Sequence, residues 1–228
     1  MALPKTGTIF YHHADASALT IDLPQSYRYM QIGKCGPDEE LKKQIDAALE
    51  AQLSVCKPNA IYAYFPLTFE EQIGTCKNKH YCIGAGFSNI CSDTLYKHIK
   101  DCDGVFLFAA TIGVGCDRLI ARDRLKNQAL PMIHQGLGAM LVEVYCDLLE
   151  ADIQKMYGDS NISFATRYSP GYGDFSLSHQ IDVFRFFGKA ARDIGLSLNE
   201  SLLMQPSKSV TALIGVKSTS ADGSSTNE

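Results

Sequence analysis

The sequence has no uninterrupted apolar run approaching the roughly 18 residues of a membrane-spanning helix, so none is expected. It has no cluster of basic residues either. Its 21 Lys and Arg against 25 Asp and Glu give a formal charge of −4, which argues against the basic surface that phosphate-backbone binding needs and hence against a nucleic-acid partner. The N-terminus, MALPKTGTIFYHH, lacks the charged start and apolar core of a signal peptide, and a cytoplasmic chain with no membrane partner is the expectation. No internal repeat is present. Eight cysteines occur without one Cys-x2-Cys pair: Cys76, Cys82 and Cys91 are separated by five and eight residues, with His80 between the first two. Zinc ligands usually come in closer pairs, and disulfides are uncommon in a cytoplasmic chain of this size. These thiols are therefore expected to be neither bridged nor metal-bound. Cys102, Cys116 and Cys146 lie in apolar periodic segments and read as core.

What is present fits a folded chain: 228 residues, 46% hydrophobic and 20% charged, enough to bury a core as one large domain or two small ones. Residues 1–35 read as an irregular or short-stranded lead, with Tyr27, Tyr29 and Met30 alternating with polar positions. ProAspGluGlu at 37–40 starts a helix whose stripe is Leu41, Ile45, Leu49, Leu53 and Cys56. AlaIleTyrAlaTyrPhe (60–65) reads as a strand stopped by Pro66, and GlyValPheLeuPheAlaAla (104–110) as a buried strand. Between them Ser92 caps a short helix with Leu95 and Ile99 inward. A helix near 116–127 follows, then a long one from about Pro131 to Tyr157 with Leu137, Leu141, Val144 and Leu148 in register. Gly136 and Gly138 inside it point to close approach of another element or a ligand. Ile162 to Ala165 is strand-like, Ile181, Phe184 and Phe187 line a helix that stops before Gly195, and ProSerLysSer (206–209) between 202–204 and 210–216 signals a hairpin.

The stretch RYSPGYGDF, residues 167–175, is unlike packing filler. Arg167 offers a planar charged fork for a carboxylate or phosphate. Gly171 and Gly173 admit positive φ or close approach of a ligand, and Tyr168, Tyr172 and Phe175 supply flat faces. Two readings are open on these residues alone. One is a pocket for an anionic or zwitterionic ligand with a flat part. The other is a strand-to-helix turn whose Arg pairs with a nearby carboxylate and whose rings belong to the core.

Arg167, Gly171 and Tyr172, spaced as Arg-x3-Gly-Tyr, are followed by LNESLLMQPSKSV (198–210) with Glu200, Ser201, Pro206, Ser209 and Val210. This pattern resembles the C-terminal reactivation domain of cobalamin-dependent methionine synthase, over roughly residues 27–216; PheAlaAlaThrIleGly (108–113) and the helix bearing Glu143 also fit. The resemblance implies a single α/β (α+β) domain with a central, mostly antiparallel, twisted sheet surrounded by helices. It implies S-adenosylmethionine as cofactor and cobalamin carried by a partner chain. The partners would be a cobalamin-dependent methionine synthase lacking its own reactivation domain, and a flavodoxin-like reductant that supplies one electron. The activity would be accessory to the methyltransferase: reductive methylation of cob(II)alamin to restart a stalled enzyme. Arg167 would hold the carboxylate of the methionyl end, backbone at Ser169 and Gly171 would meet the donor's polar edges, Tyr172 would sit between pocket and corrin, and Glu143 would join the cofactor-binding set; no residue is assigned to catalysis or to metal.

The sequence departs from the family at several points. Position 173 is Gly where the full-length enzymes commonly have Pro, no acidic residue matches the one their N-terminal segment supplies, and no aromatic pair follows the final strand. The expected organisation is an N-terminal segment over 1–26, the reactivation-like domain over 27–216 and a disordered tail over 217–228, in a free-standing chain that acts in trans. Two rival readings are a non-catalytic docking partner of a corrinoid protein that has lost S-adenosylmethionine binding, and a metal or small-molecule sensor built on Cys76, His80, Cys82 and Cys91.

Overall fold

The computed structural model describes residues 2–33, 35–73, 79–124, 129–158 and 161–218. In chain order the elements are β1 Phe10–His13, α1 Leu23–Tyr29, α2 Glu39–Val55, β2 Asn59–Pro66, β3 Thr68–Ile73, β4 Lys79–Gly84, β5 Asn89–Cys91 and α3 Asp93–Ile99. They continue with β6 Gly104–Thr111, α4 Gly115–Asp123, α5 Ala129–Tyr157, β7 Ile162–Phe164, α6 Gln180–Phe187, α7 Lys189–Asp193, β8 Ser197–Leu198, β9 Met204–Gln205 and β10 Ser209–Ser218.

Five strands form an antiparallel sheet in the order β1-β2-β6-β10-β7, with a smaller sheet β3-β4-β5 and the short pair β8-β9 beside it. This is the mixed, mostly antiparallel architecture expected. Alternation along β2 explains its apolar run: Ala60, Tyr62 and Tyr64 face a core shared with α1, α2, α4 and α5, while Ile61, Ala63 and Phe65 face a second core shared with α3, α6 and α7. β6 is buried at every position for the same reason. Both faces of the sheet are covered, so its inner strands carry no polar face.

The helix starts follow local chemistry. Asp38 caps α2, its side chain accepting from Leu41 N, and Ser92 caps α3 by accepting from Leu95 N. α5 is the spine of the first core, with Leu137, Leu141 and Val144 buried. Its glycines admit neighbours: a Cβ on Gly136 would lie 2.5 Å from Met30 Cγ, and one on Gly138 would lie 3.0 Å from Lys208 Cε. Gly136 thus seats α1 against α5. Among the described residues no helix is long and apolar enough to cross a membrane.

Four expectations are corrected. Residues 23–29 form a helix, because Asp22 caps it through Gln25 N and Pro24 fits its first turn; Met30 closes it and buries against α5. The helical segment after the turn breaks at Gly188 (φ +49), and α6 buries Gln180, Val183 and Phe187 while Ile181 stays 44% exposed. No hairpin joins 202–204 to 210–216: β9 pairs with β8, and β10 instead fills the sheet between β6 and β7, where both its faces are buried. Finally, Cys82 and Cys91 are joined as a disulfide, because the β4–β5 register sets them directly opposite each other with Cα atoms 4.3 Å apart. That removes two of the four groups on which a sensor reading depended; Cys76, a third, lies outside the described residues.

The divide expected at residues 26 and 27 falls inside α1, and β1 is a strand of the main sheet. Residues 217 and 218 end β10, and the rest of the expected tail lies outside the described residues.

Candidate functional site

Beyond β7 the chain follows the edge of β10. Ala165 N donates to Gly215 O at 2.9 Å, and Tyr168 and Leu213 exchange both backbone hydrogen bonds at 2.9 Å. Arg167 is therefore held by the sheet edge before the chain turns away. The turn then needs its glycines: Gly171 has φ +98 and donates its N–H to Phe175 O at 2.7 Å, and Gly173 has φ +55. Proline, whose ring fixes φ near about −65°, cannot occupy position 173 in this conformation, which accounts for the departure there. Phe175, fully buried, anchors the turn in the second core. Asp174 clasps the start of α3, accepting from Ser92 Oγ at 2.5 Å, Asp93 N at 2.9 Å, Thr94 N at 3.1 Å and Thr94 Oγ1.

Across from the turn, α5 presents Glu143, Asp147 and Glu150 at steps of four and three, on one helical face. All three meet Arg167. Its Nη2 donates to Glu143 Oε2 at 2.6 Å, and its Nη1 donates to Asp147 Oδ1 at 2.6 Å and to Glu150 Oε1. Burial opposes the charge on Arg167, but the three carboxylates outweigh it and raise its pKa further. Burial raises the pKa of Glu150 above the ordinary carboxylate value, against the pull of Arg167. Three carboxylates against one guanidinium leave an excess of two negative charges when all are ionised. The site favours a ligand that brings positive charge. Three of the five N–H donors of an arginine are taken, which leaves two, the number a bidentate carboxylate needs.

This cluster lies in a cleft of about 690 Å³ between α5, the turn, the start of α6 and the start of β10. Of the residues expected from sequence, Glu143, Arg167, Ser169 and Tyr172 line it together. Gly171 sits between two lining residues, Pro170 and Tyr172, without lining the cleft itself, and its N–H is committed inside the turn. Tyr172 is 64% exposed at the rim, and Tyr29 of α1 comes within electrostatic reach of it, of Glu143 and of Arg167.

Four further groups were not singled out from sequence. Asp147 and Glu150 were legible as acids in phase with Glu143. Gln180 and Thr211 line the cleft 4% and 2% exposed, and Gln180 Oε1 and Thr211 Oγ1 have no hydrogen-bond partner. An unsatisfied buried polar atom costs about 1–3 kcal/mol, so two on residues that line one cleft are unmet hydrogen-bonding capacity beside it. Thr211 as the sole polar residue in ValThrAlaLeuIleGlyVal was the available signal. A second, more apolar cavity of about 740 Å³ adjoins the first and shares Gln180 and Met204 with it.

Among the described residues no group of three or more His, Cys, Asp or Glu side chains could hold a metal ion. No family model and no curated protein matches the sequence. Thirteen chains among the solved structures match. One is a crystal structure of the MetH reactivation domain bound to AdoHcy, similar at a TM-score of 0.63 and 16% identity, over 99% of this chain and 83% of that chain. The chain has the fold of that reactivation domain.

Proposed function

We propose that the cleft binds S-adenosylmethionine and that the chain supports reductive methylation of cob(II)alamin in a separate cobalamin-dependent methionine synthase. The observation that carries this reading is the cleft itself: one guanidinium with two donors to spare, three carboxylates, and two buried polar atoms without partners. That set fits a zwitterionic, net cationic ligand with further hydrogen-bonding groups. The similarity to a reactivation domain solved with AdoHcy adds fold-level support.

In this reading the spare donors of Arg167 take the donor's carboxylate. Glu143, with Asp147 and Glu150 behind it, receives the ammonium and offsets the sulfonium charge. Ser169 presents polar groups to the ligand, and Tyr172 at the exposed rim faces the incoming corrin. When bound, S-adenosylmethionine supplies an electrophilic methyl group, for acceptance by the partner's cobalamin after a flavodoxin-like reductant delivers one electron. The residues of this chain contribute positioning and charge complementarity.

The engagement of Arg167 by three carboxylates also favours the rival in which the turn is architecture and the chain docks a corrinoid protein without binding the donor. Reconstitution separates the two. A cobalamin-loaded methionine synthase truncated before its reactivation domain, stalled as cob(II)alamin, is mixed with this chain, S-adenosylmethionine and reduced flavodoxin. Loss of the cob(II)alamin absorbance that requires both this chain and the donor is expected. Unchanged absorbance in a mixture where the two chains form a complex would leave the docking role instead.

A further inference from the structure

We propose that Gln180 reads the adenine edge of the adenosyl ligand, with the base lying in the second cavity. The inference rests on the donor assigned above and adds where its heterocycle goes and what recognises it. Gln180 opens α6, is almost fully buried, and is one of two residues that line both cavities. Its Oε1 is a buried acceptor with no partner, and such an atom calls for a ligand N–H or O–H.

The two cavities differ in chemistry. The first holds Arg167 and the three carboxylates, and suits an amino-acid end. The second is walled by Leu177, Leu202, Leu203 and Met204, and suits a flat, weakly polar ring. A ligand that fills both must be charged at one end and aromatic at the other, with a hydrogen-bond donor on the ring near the junction. Adenine meets this requirement. A glutamine carboxamide pairs with it in a plane, Oε1 accepting from the exocyclic amine while Nε2–H donates to a ring nitrogen. Such pairing would satisfy the orphaned acceptor and give the site a means of choosing adenosyl over other thioethers.

The test uses the full chain and two probes with the same amino-acid, thioether and ribose parts, S-adenosylhomocysteine and S-ribosylhomocysteine, titrated by calorimetry. Wild-type protein should prefer the adenosyl compound. Gln180→Leu should lose about ten- to a hundred-fold in affinity for S-adenosylhomocysteine while its affinity for S-ribosylhomocysteine stays the same. Gln180→Glu, which keeps an acceptor and loses the amide donor, should fall between them and decides the matter if the leucine variant does not fold. Equal affinity of variants and wild type for S-adenosylhomocysteine, or an equal loss on both probes, would overturn the assignment. Failure of the wild type to bind either S-adenosylhomocysteine or S-adenosylmethionine would instead sink the donor reading on which it rests, and that shows in the first titrations.

Discussion

Arg167 Nη2 lies 2.6 Å from Glu143 Oε2, joining the turn after β7 to the spine helix across 24 residues of chain. The contact latches two elements and at the same time fixes the orientation of the cleft's single guanidinium. In the proposed reading architecture and binding share one side chain, and variants have to be read on both scales.

Arg167→Ala should weaken S-adenosylmethionine binding about ten- to a hundred-fold, and should also lower the melting temperature by a few degrees because three carboxylates are left facing one another. Arg167→Lys should recover part of the binding, since an ammonium lacks the two-pronged contact. Adding Glu150→Gln to Arg167→Ala should restore stability without restoring binding. Differential scanning fluorimetry and calorimetric titration on the same samples check all three.

Position 173 should reject proline. At φ +55 a pyrrolidine ring cannot be built, and even a Cβ would lie 2.4 Å from Thr94 Oγ1. Gly173→Ala should cost about 1–2 kcal/mol from the left-handed backbone alone, and Gly173→Pro more. Urea unfolding of the two variants measures this; a proline variant as stable as wild type would contradict the turn described here.

Acid should release the Asp174 clasp. Burial works against the ionised carboxylate, but hydrogen bonds from Ser92, Thr94 and Asp93 outweigh it and hold its pKa below the ordinary 3.8. The folded pKa is depressed, so the stabilisation is present above pH 3.8 and is lost as pH falls through the folded value. Asp174→Asn should therefore be less stable than wild type at neutral pH, with the gap narrowing below pH 3.8. A gap independent of pH would show that the carboxylate charge is not what holds α3.

Peptide mapping of unreduced protein, alkylated before digestion, should recover a Cys82–Cys91 linked peptide. Cys56 and Cys116, with thiols pushed by burial up to about 11 and about 12, should resist alkylation until the protein unfolds, whereas exposed Cys35 reacts at once.

Much of the fold was legible because local rules and the tertiary structure agree. Asp38 and Ser92 cap the helices they announce, and β2 and β6 read as strands because both their faces are buried. The failures were tertiary. The α1 segment has a cap at Asp22 and a proline in its first turn, but it is only seven residues long and its packed face, Leu23, Tyr27 and Met30, takes its meaning from the core it meets; the β10 partner was misplaced because a nearby turn signal says nothing about which strands flank it in the sheet. At the site, Arg167 and Tyr172 were visible as unusual residue types in one turn. Thr211 stood out only as the one polar residue of 210–216 and Gln180 not at all, because it takes the structure to show that their polar atoms are buried without partners.

The central claim, that the cleft at Arg167 binds S-adenosylmethionine, is tested most directly by calorimetric titration of the wild-type chain and Arg167→Lys with that compound. The account predicts saturable one-to-one binding by the wild type that weakens as salt is raised, because two uncompensated negative charges meet a cation. It also predicts clearly weaker binding by a lysine variant that remains folded. No heat of binding from folded wild type, or equal affinity in the two proteins, would contradict it.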